Sequence, residues 1–232
     1  RVNFCGRTVA GPGQYLPFGY VGIPRIMKKI LTVPETVTIY NYDEMLKLFY
    51  DGKISYLQYN GSESNQQNLL LDTSTQKGID NYKPNVGDVV HRHLEENDIV
   101  ITNRQPTLHK YGFLSQKIKF HDDLNIKIGG PQTTPYNADF DGDEINLHVH
   151  QSIQARAEGY GSANMVNNIM NDQSNKPAMG LIFNSPASAY IMSRFKGTLS
   201  VSVWNECMSK CLLDGKRLHT LEKRLKLHNV PM

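Results

Sequence analysis

The sequence has few cysteines: Cys5, Cys207 and Cys211 are the three in 232 residues. Three cysteines cannot all pair, and so few in a chain of this size do not form a secreted disulfide scaffold. We therefore expect a reduced, intracellular setting. Cys207 and Cys211 lie one helical turn apart and could ligate zinc with His219, but the pattern lacks the paired spacing of a structural zinc finger. Two buried helix thiols are the favoured interpretation.

Long apolar runs, internal repeats and low-complexity tracts are also missing. No run approaches the roughly 20 apolar residues of a membrane span and no secretory signal is visible, so we expect no membrane association. The hydrophobic content of 39% and charged content of 20% are ordinary for a globular protein of one large domain or two small ones. The chain begins with an arginine inside a motif, which predicts a piece of a longer protein.

The net charge is small, at +3, and does not by itself indicate a nucleic-acid-binding protein. The distribution of the charges is more informative than their sum. Basic side chains gather in residues 25–29, 104–119 and 216–226, while acids concentrate in residues 139–144. A basic surround with an acidic centre suits a phosphate backbone that approaches a metal site.

The acidic stretch places Asp139, Asp141 and Asp143 at every second position, with Gly142 among them. On an extended strand the three acids would share one face and repel unless a cation or water screened them. The glycine lets the backbone bend sharply, so the three carboxylates could converge on one point. They would half fill the octahedral shell of Mg²⁺ and leave room for water and phosphate oxygens. The pattern predicts an open, catalytic type of metal site.

Two other interpretations compete for the same acids. Asp-Gly-Asp is most often a solvated surface turn. An EF-hand calcium loop needs glycine at its sixth position and glutamate at its twelfth. Counted from Asp139, the glycine comes fourth and the twelfth residue is His150, so the calcium loop fails. The triplet alone favours metal catalysis over a surface turn by a small margin.

Two longer strings decide between these interpretations. Residues 137–148, Asn-Ala-Asp-Phe-Asp-Gly-Asp-Glu-Ile-Asn-Leu-His, resemble the active-site signature of the largest subunit of multisubunit DNA-directed RNA polymerases. Residues 103–109, Asn-Arg-Gln-Pro-Thr-Leu-His, resemble that family's other core motif, at a similar separation. The likeness covers most of the chain up to about Phe195, with further matching stretches at residues 1–9, 21–24 and 174–180.

The resemblance implies an α+β fold with two parts. Residues 1–155 would form a double-psi β-barrel active-site domain, with a dock-like excursion near residues 60–85. Residues 156–232 would form the mainly helical beginning of a pore domain that is incomplete here. The zinc-binding elements of the family would lie upstream.

Local patterns are compatible with this order. A helix should open at Asn41, with Glu44 as its capping-box partner, and end at Gly52. Alternating or apolar runs predict strands at residues 86–93, 99–102, 112–120, 124–128 and 145–150. Helical periods occur at residues 152–158, 163–170 and 186–195. Two later apolar stripes, expected to be core, comprise Trp204, Met208, Cys211 and Leu212, and Leu218, Leu221 and Leu225.

The resemblance also implies the chemistry. Asp139, Asp141 and Asp143 would hold a permanent Mg²⁺ for attack of the RNA 3′-hydroxyl on the α-phosphate of a ribonucleoside triphosphate. A second Mg²⁺ would arrive with the triphosphate and need acids from a partner subunit. The expected partners are the second-largest and smaller polymerase subunits, template DNA and nascent RNA. The 232 residues alone should be inactive, because they lack the rest of the cleft.

Other residues receive roles through the same resemblance. Arg104 and Asn137 would read the ribose of the incoming nucleotide, with a phosphate clamp as the alternative for Arg104. Arg1 and Arg7 would lie near the RNA–DNA hybrid. Gln105, Pro106 and His109 would shape their loop, and His148 and His150 would be ordinary residues of a polar strand face.

Departures from the family pattern bear on the source. Cys5-Gly6 stands before Arg7 where cellular relatives usually carry Ser-Ala or a similar pair, and residues 60–80 are rich in Asn and Gln. These features favour a divergent branch such as a large DNA virus, which would place the enzyme in host cytoplasm or virion. A cellular eukaryotic enzyme would be nuclear.

Two further classes of protein could carry part of this pattern. One is a non-enzymatic metal-binding or phosphate-binding barrel, which would not need the string at residues 103–109. The other is a related barrel polymerase, such as a silencing-type RNA polymerase or an archaeal replicative DNA polymerase, which would carry different flanks. The flanks favour the transcription enzyme over both.

Overall fold

The structure is a computed structural model that describes residues 3–59, 68–70, 83–182, 184–194, 197 and 199–210. Its strands are β1 (Cys5–Pro12), β2 (Tyr20–Pro24), β3 (Thr32–Thr36), β4 (Ile54–Gln58), β5 (Asn68–Leu70), β6 (Val89–His93), β7 (Ile99–Asn103), β8 (Phe113–His121), β9 (Ile126–Ile128), β10 (Glu144–Val149), β11 (Met170–Asn171) and β12 (Lys176–Pro177). Its α-helices are α1 (Met27–Ile30), α2 (Tyr42–Tyr50), α3 (Thr133–Tyr136), α4 (Ile153–Tyr160), α5 (Ser185–Arg194) and α6 (Val201–Lys210). Single 3₁₀ turns occur at Lys110–Gly112, Gly130–Gln132 and Met165–Asn168.

Six strands close into a barrel in the order β1-β10-β7-β8-β2-β9. The pairs β1/β9 and β2/β8 are parallel and the other four pairs are antiparallel. Ile145, Leu147 and Val149 alternate into the barrel core, as their spacing predicts. A closed, mixed six-stranded barrel beside helices confirms the expected α+β class with a double-psi β-barrel. The core also buries Val21, Ile23, Val100, Leu114, Ile118, Ile126 and Ile128.

A second, antiparallel sheet has the order β3-β6-β4-β5 and its own small core. The strand predicted at residues 86–93 therefore exists as β6 but lies in this sheet and not in the barrel. Helix α2 covers the sheet with Met45, Leu48 and Phe49, which are buried with Val37, Ile54, Leu57 and Val90. Each such side chain contributes about 1.5–3 kcal/mol by leaving water. The excursion expected near residues 60–85 lies largely outside the described residues.

Helix α2 begins after Asn41, as predicted, but the predicted capping box does not form. The Asn41 side chain makes no cap bond to its own helix. Its Oδ1 instead accepts from the Thr38 amide at 2.6 Å and the Thr38 hydroxyl at 2.9 Å, and its Nδ2 donates to the Thr36 carbonyl at 3.0 Å. Asn41 thus ties the helix to the loop before it, which leaves Glu44 exposed.

A partly buried ion-pair network, with buried Arg92 at its centre, joins the second sheet to the barrel. Arg92 on β6 contacts both Asp98 oxygens, at 2.7 and 2.8 Å, just before β7 begins. Its Nε donates to Glu35 on β3 at 3.0 Å, and Arg156 on α4 reaches the same Glu35 oxygen at 3.0 Å. Burial lowers the pKa of the Arg92 guanidinium, but the hydrogen bonds and charges of Asp98 and Glu35 outweigh burial and raise it. The network therefore joins β3, β6, helix α4 and the start of β7.

The region after the barrel strands is mainly helical, as expected. Helix α4 begins at the predicted place because Ser152 caps it, accepting from the Ala155 amide at 3.1 Å. The helical period at residues 163–170 does not give an α-helix: the structure has the 3₁₀ turn Met165–Asn168 there. The asparagine side chains explain the difference: Asn164 accepts from the Val166 amide, while Asn167 and Asn168 donate to upstream carbonyls.

Two later helices follow. Helix α5 (Ser185–Arg194) begins at the Ser185-Pro186 pair, one residue before the predicted span of 186–195. Helix α6 contains Trp204, which is half-buried, whereas Cys207 is exposed. The prediction of a buried thiol at Cys207 is therefore wrong, because the described part of α6 turns little of its surface toward the protein. Cys211, His219 and the last apolar stripe lie outside the described residues. Among the described helices, none combines the length and apolar character that crossing a membrane requires.

Candidate metal centre

The three aspartates lie on a loop between α3 and β10 that is held at both ends. At its start Asn137 adopts a left-handed conformation (φ 46°) and the Ala138 amide donates to the Thr133 carbonyl at 3.0 Å. At its end the Ala10 amide of β1 donates to the Asp143 carbonyl at 2.7 Å. Between them Gly142 has φ 121°, a conformation that side chains rarely adopt. The predicted sharp bend at this glycine is confirmed.

The three carboxylates converge, as the spacing predicts. One oxygen from each of Asp139, Asp141 and Asp143 lies within 4.8 Å of the others. Mg²⁺ holds its ligands at about 2.1 Å, so oxygens that share one ion lie no more than about 4.2 Å apart. A small adjustment would bring the three into that range, and carboxylate oxygens are the ligands that Mg²⁺ prefers. The donor set therefore fits a magnesium ion.

The electrostatics of the centre are uneven. The pKa of Asp139 is raised, chiefly by a hydrogen bond with Asp141 and then by burial and the charges of Asp141 and Asp143. The pKa of Asp143 is lowered, chiefly by hydrogen bonds from Arg104. Asp139 and Asp141 thus crowd two like charges together, whereas Asp143 already has a counter-ion.

Arg104 holds Asp143 through a two-pronged contact. Its Nε donates to Oδ2 at 2.7 Å and its Nη2 donates to Oδ1 at 2.9 Å. The Asp139 amide also donates to Oδ2 of Asp143, at 3.1 Å. The third nitrogen, Nη1, lies 3.4 Å from the carbonyl of Tyr136, next to Asn137. The guanidinium therefore bridges the beginning and the end of the acidic loop.

A second arginine lies on the other side of β10. Strand β10 runs between β1 and β7, so its first residues are flanked by Arg7 from β1 and by Arg104, which follows β7. Arg7 pairs with Glu144 at 2.6 Å, and its Nη1 lies 3.5 Å from the Gln105 side-chain oxygen. Both arginines and Asp143 line a polar cavity of about 240 Å³. The cavity presents balanced charges beside the metal centre.

A buried hydrogen-bond cluster under the loop positions α3. The Tyr136 hydroxyl lies 2.6 Å from the Thr102 hydroxyl and accepts from the Gln116 amide at 2.9 Å. Gln116 also donates to Thr102, which in turn donates to the Leu114 carbonyl. Burial raises the pKa of Tyr136, so its hydroxyl stays protonated and available to these partners. The cluster fixes the residue that immediately precedes the acidic loop.

The structure brings most of the predicted site residues together. Asp139, Asp141, Asp143 and Arg104 form one contact group, and exposed Asn137 adjoins it. Arg1 lies outside the described residues. The roles in binding ribose or nucleic acid stay predictions for Arg104, Asn137, Arg1 and Arg7.

The histidine prediction needs correction. His150 was expected on a polar face, but it is buried, 3.5 Å from the Ser115 hydroxyl, and burial lowers its pKa. His148 is half-buried beside Phe113. The strand alternation ends at Val149, and the His150 side chain turns inward and packs against Gly159 on α4. The imidazole fills the space that a Cβ atom at residue 159 would need.

Sequence reasoning missed three contacts of the site. These are the pairing of Arg104 with Asp143, the pairing of Arg7 with Glu144, and the cluster of Thr102, Gln116 and Tyr136. The opposite charges of the residues indicate that the first two pairs can form, but no local sequence pattern identifies the acid with which each arginine pairs. Gln116 gives no signal, because it reads as one more residue of a strand.

Comparison with known proteins agrees with the motifs. The profile of the family described as RNA polymerase Rpb1, domain 2, matches residues 1–165. The DNA-directed RNA polymerase III subunit RPC1 of Saccharomyces cerevisiae is 37% identical over 198 residues, covering 83% of this chain and 13% of that protein. The corresponding subunit of Debaryomyces hansenii is 36% identical over 198 residues, with the same coverage. The DNA-directed RNA polymerase subunit Rpo1N of Methanococcus vannielii is 36% identical over 203 residues, covering 83% of this chain and 23% of that protein. The chain thus spans between 13% and 23% of the length of these relatives.

Proposed function

Since this chain belongs to the family of the largest subunits of multisubunit DNA-directed RNA polymerases, we propose that it carries the catalytic centre of such an enzyme. The observation that carries the proposal is the convergence of the Asp139, Asp141 and Asp143 carboxylates within 4.8 Å on a loop anchored to the barrel. Family membership also disfavours a non-enzymatic barrel and the more distant barrel polymerases.

The proposed reaction is DNA-templated transfer of a nucleotide from a ribonucleoside triphosphate to the RNA 3′ end. Mg²⁺ held by the three carboxylates would lower the pKa of the RNA 3′-hydroxyl and orient it for in-line attack. The chain's own task is positioning and charge stabilisation. The anchored loop fixes the carboxylates, and Arg104 orients the Asp143 carboxylate through its two-pronged contact.

A direct assay tests this function. We expect the assembled enzyme to extend RNA on a DNA template with labelled ribonucleotides, and removal of divalent metal by a chelator to stop extension, because carboxylates alone cannot activate the 3′-hydroxyl. Added Mg²⁺ should restore the activity. Full extension with the metal removed, or no RNA product from a correctly assembled complex, would contradict the proposal.

A second ion and other partners belong to the same proposal. Among the described residues, Asp139, Asp141 and Asp143 form the one group of three or more side chains suited to hold a metal. A second Mg²⁺ that enters with the triphosphate would therefore take further ligands from the triphosphate and from a partner subunit. We propose the second-largest subunit as that partner, with smaller subunits, template DNA and nascent RNA completing the enzyme.

The domain division and the location of the enzyme also remain proposals. We propose residues 1–155 as the active-site domain and residues 156–232 as the beginning of the pore domain. Met165 and Met179, which follow residue 155, pack into the barrel core, so the two parts are in contact.

The relatives in eukaryotic RNA polymerase III favour the nucleus as the location of the enzyme for a eukaryotic source. The viral source, with host cytoplasm or virion as its setting, stays a prediction.

Arg104 and Asn137 are proposed to recognise the ribose. Nη1 of Arg104 reaches the carbonyl of Tyr136, the residue that precedes Asn137, so both residues lie at the edge of the metal centre. A 2′-hydroxyl both donates and accepts hydrogen bonds, so this pair is suited to distinguish ribose from deoxyribose. Arg7 is proposed to contact the nucleic-acid backbone from the other side of β10.

Sugar choice separates ribose recognition from a phosphate clamp. We expect Arg104→Ala to lower the use of ribonucleotides more than that of deoxyribonucleotides, because only the ribonucleotide loses a hydrogen bond to a charged group. Such a bond contributes roughly 1.5–3 kcal/mol, or about ten- to a hundredfold in relative efficiency. The measurement is single-nucleotide addition by the reconstituted enzyme with matched ribo- and deoxyribonucleotides. A ratio unchanged from wild type would leave Arg104 as a phosphate contact, since both substrates carry the same triphosphate.

A further inference from the structure

We propose that Arg104 competes with the metal for Asp143 and so sets the affinity of the centre for a divalent cation. The inference rests on the proposed function, because it takes the three aspartates as the metal site. It gives Arg104 a positioning role that is separate from any contact with the nucleotide.

The hydrogen bonds of Asp143 are the first support. Oδ2 accepts from Arg104 Nε at 2.7 Å and from the Asp139 amide at 3.1 Å, so both of its lone pairs are used. Oδ1 accepts from Arg104 Nη2 at 2.9 Å. A metal ion can therefore reach Asp143 through the remaining lone pair of Oδ1, or by displacing the guanidinium or the Asp139 amide.

The charges are the second support. Three carboxylates and one guanidinium sum to a charge of minus two, which a single divalent ion balances. A guanidinium that shares Asp143 with this ion would lie about 5 Å from it and repel it. Even with the dielectric constant of water, two cations of these charges at that distance weaken binding by about tenfold. Arg104 is thus a built-in counter-ion that weakens metal binding.

Arg104 also has an effect of the opposite sign on metal binding. Arg104 also orients the Asp143 carboxylate, and a loosened carboxylate binds metal less well. The Asp139 amide would still hold Oδ2 after removal of Arg104, and the Ala10 amide would still hold the Asp143 carbonyl. Because this second hold remains, the loss of repulsion is the larger effect. Removal of the guanidinium should therefore tighten metal binding. If Arg104 only held Asp143 in place, its removal would weaken metal binding instead.

Coupling of this kind is reciprocal. If Arg104 weakens metal binding, bound metal weakens the hold of Arg104 on Asp143 by the same factor. The guanidinium then becomes available to a nucleotide when the centre is loaded. Pairing with Asp143 and contact with a substrate are alternatives for the same donor groups, so metal loading and substrate recognition are linked through one side chain.

The test measures Mn²⁺ binding to the assembled enzyme, without nucleotide, from the electron paramagnetic resonance signal of free Mn²⁺. Asp141→Asn identifies the site, since it should abolish the tightest binding. We expect Arg104→Gln to tighten that binding by about tenfold or more. Arg25→Gln removes the same charge from an exposed pair with Asp122 outside the centre and should leave the affinity unchanged.

A further variant separates charge from geometry. Arg104→Lys keeps the positive charge without the two-pronged contact and should stay within about threefold of wild type. If Arg104→Lys and Arg104→Gln tighten Mn²⁺ binding equally, the proposal that the charge of Arg104 competes with the metal is overturned. Thermal unfolding checks each variant, and Arg104→Ala replaces Arg104→Gln if the latter does not fold.

The outcomes distinguish the inference from the proposed function. Unchanged or weaker Mn²⁺ binding in Arg104→Gln, with Asp141→Asn still abolishing the site, overturns the competition and leaves the metal site standing. Tight binding that persists in Asp141→Asn overturns the metal site itself, and with it this inference.

Discussion

Replacing Asp141 with asparagine is expected to lower nucleotide addition by the assembled enzyme by about a thousandfold or more. The amide has nearly the size of the carboxylate but lacks the charge that holds Mg²⁺. Metal-bound activation contributes several kcal/mol to the transition state, and each 1.4 kcal/mol is about a factor of ten in rate. Asp141 is the cleanest choice of the three. Asp143 also holds Arg104 and the Asp139 amide, so its replacement would disturb the loop as well as the metal.

The measurement is single-nucleotide addition on a preformed DNA–RNA scaffold at saturating Mg²⁺. Asp122→Asn is the matched control, because it removes the same charge from an exposed loop outside the centre and should leave the rate unchanged. Assembly with partner subunits, checked by size-exclusion chromatography, should be the same for both variants. Near-normal extension by Asp141→Asn would show that this carboxylate does not hold the catalytic metal.

The second large effect concerns stability. We expect Arg92→Met to lower the free energy of unfolding by about 3–5 kcal/mol, because removal of the guanidinium leaves the largely desolvated Asp98 carboxylate without its counter-ion. Asp98 would keep its hydrogen bond from the Glu95 amide, and Glu35 would keep its pair with Arg156. The side chains of Arg92, Asp98 and Glu35 are exposed by only 9%, 16% and 19%, so water screens them poorly.

Urea unfolding of the purified chain, followed by circular dichroism, measures this effect. Arg25→Met is the matched control: its pair with Asp122 is exposed, at 62% and 85%, and such pairs contribute less than about 1 kcal/mol. If both variants lose a similar free energy of unfolding, the loss comes from the packing of the arginine methylene groups and not from the charge network. The network would then have no special part in joining the second sheet to the barrel.

Local patterns were sufficient for much of the chain. The alternation of Ile145, Leu147 and Val149 predicts a strand with one buried face, because side chains of a strand alternate whatever its neighbours are. Ser152 and the Ser185-Pro186 pair mark helix starts, because a cap depends only on adjacent residues. Where side chains had a choice of partners, local reasoning failed. Asn41 bonds backward to Thr38, and the asparagines near Asn164 hold a short turn in place of a helix.

The amino-acid sequence by itself determined the acidic triplet, its glycine bend and the family to which they point, because these lie within a few consecutive residues. Only the tertiary structure decided which cation each acid meets. Arg104 and Asp143 are 39 positions apart, and they pair because β10 lies beside β7 in the closed barrel. Arg92 meets Glu35, 57 positions away, because β6 pairs with β3. Period-two patterns say which face of a strand is buried but not which strand lies next to it, so the charge partners follow from strand order.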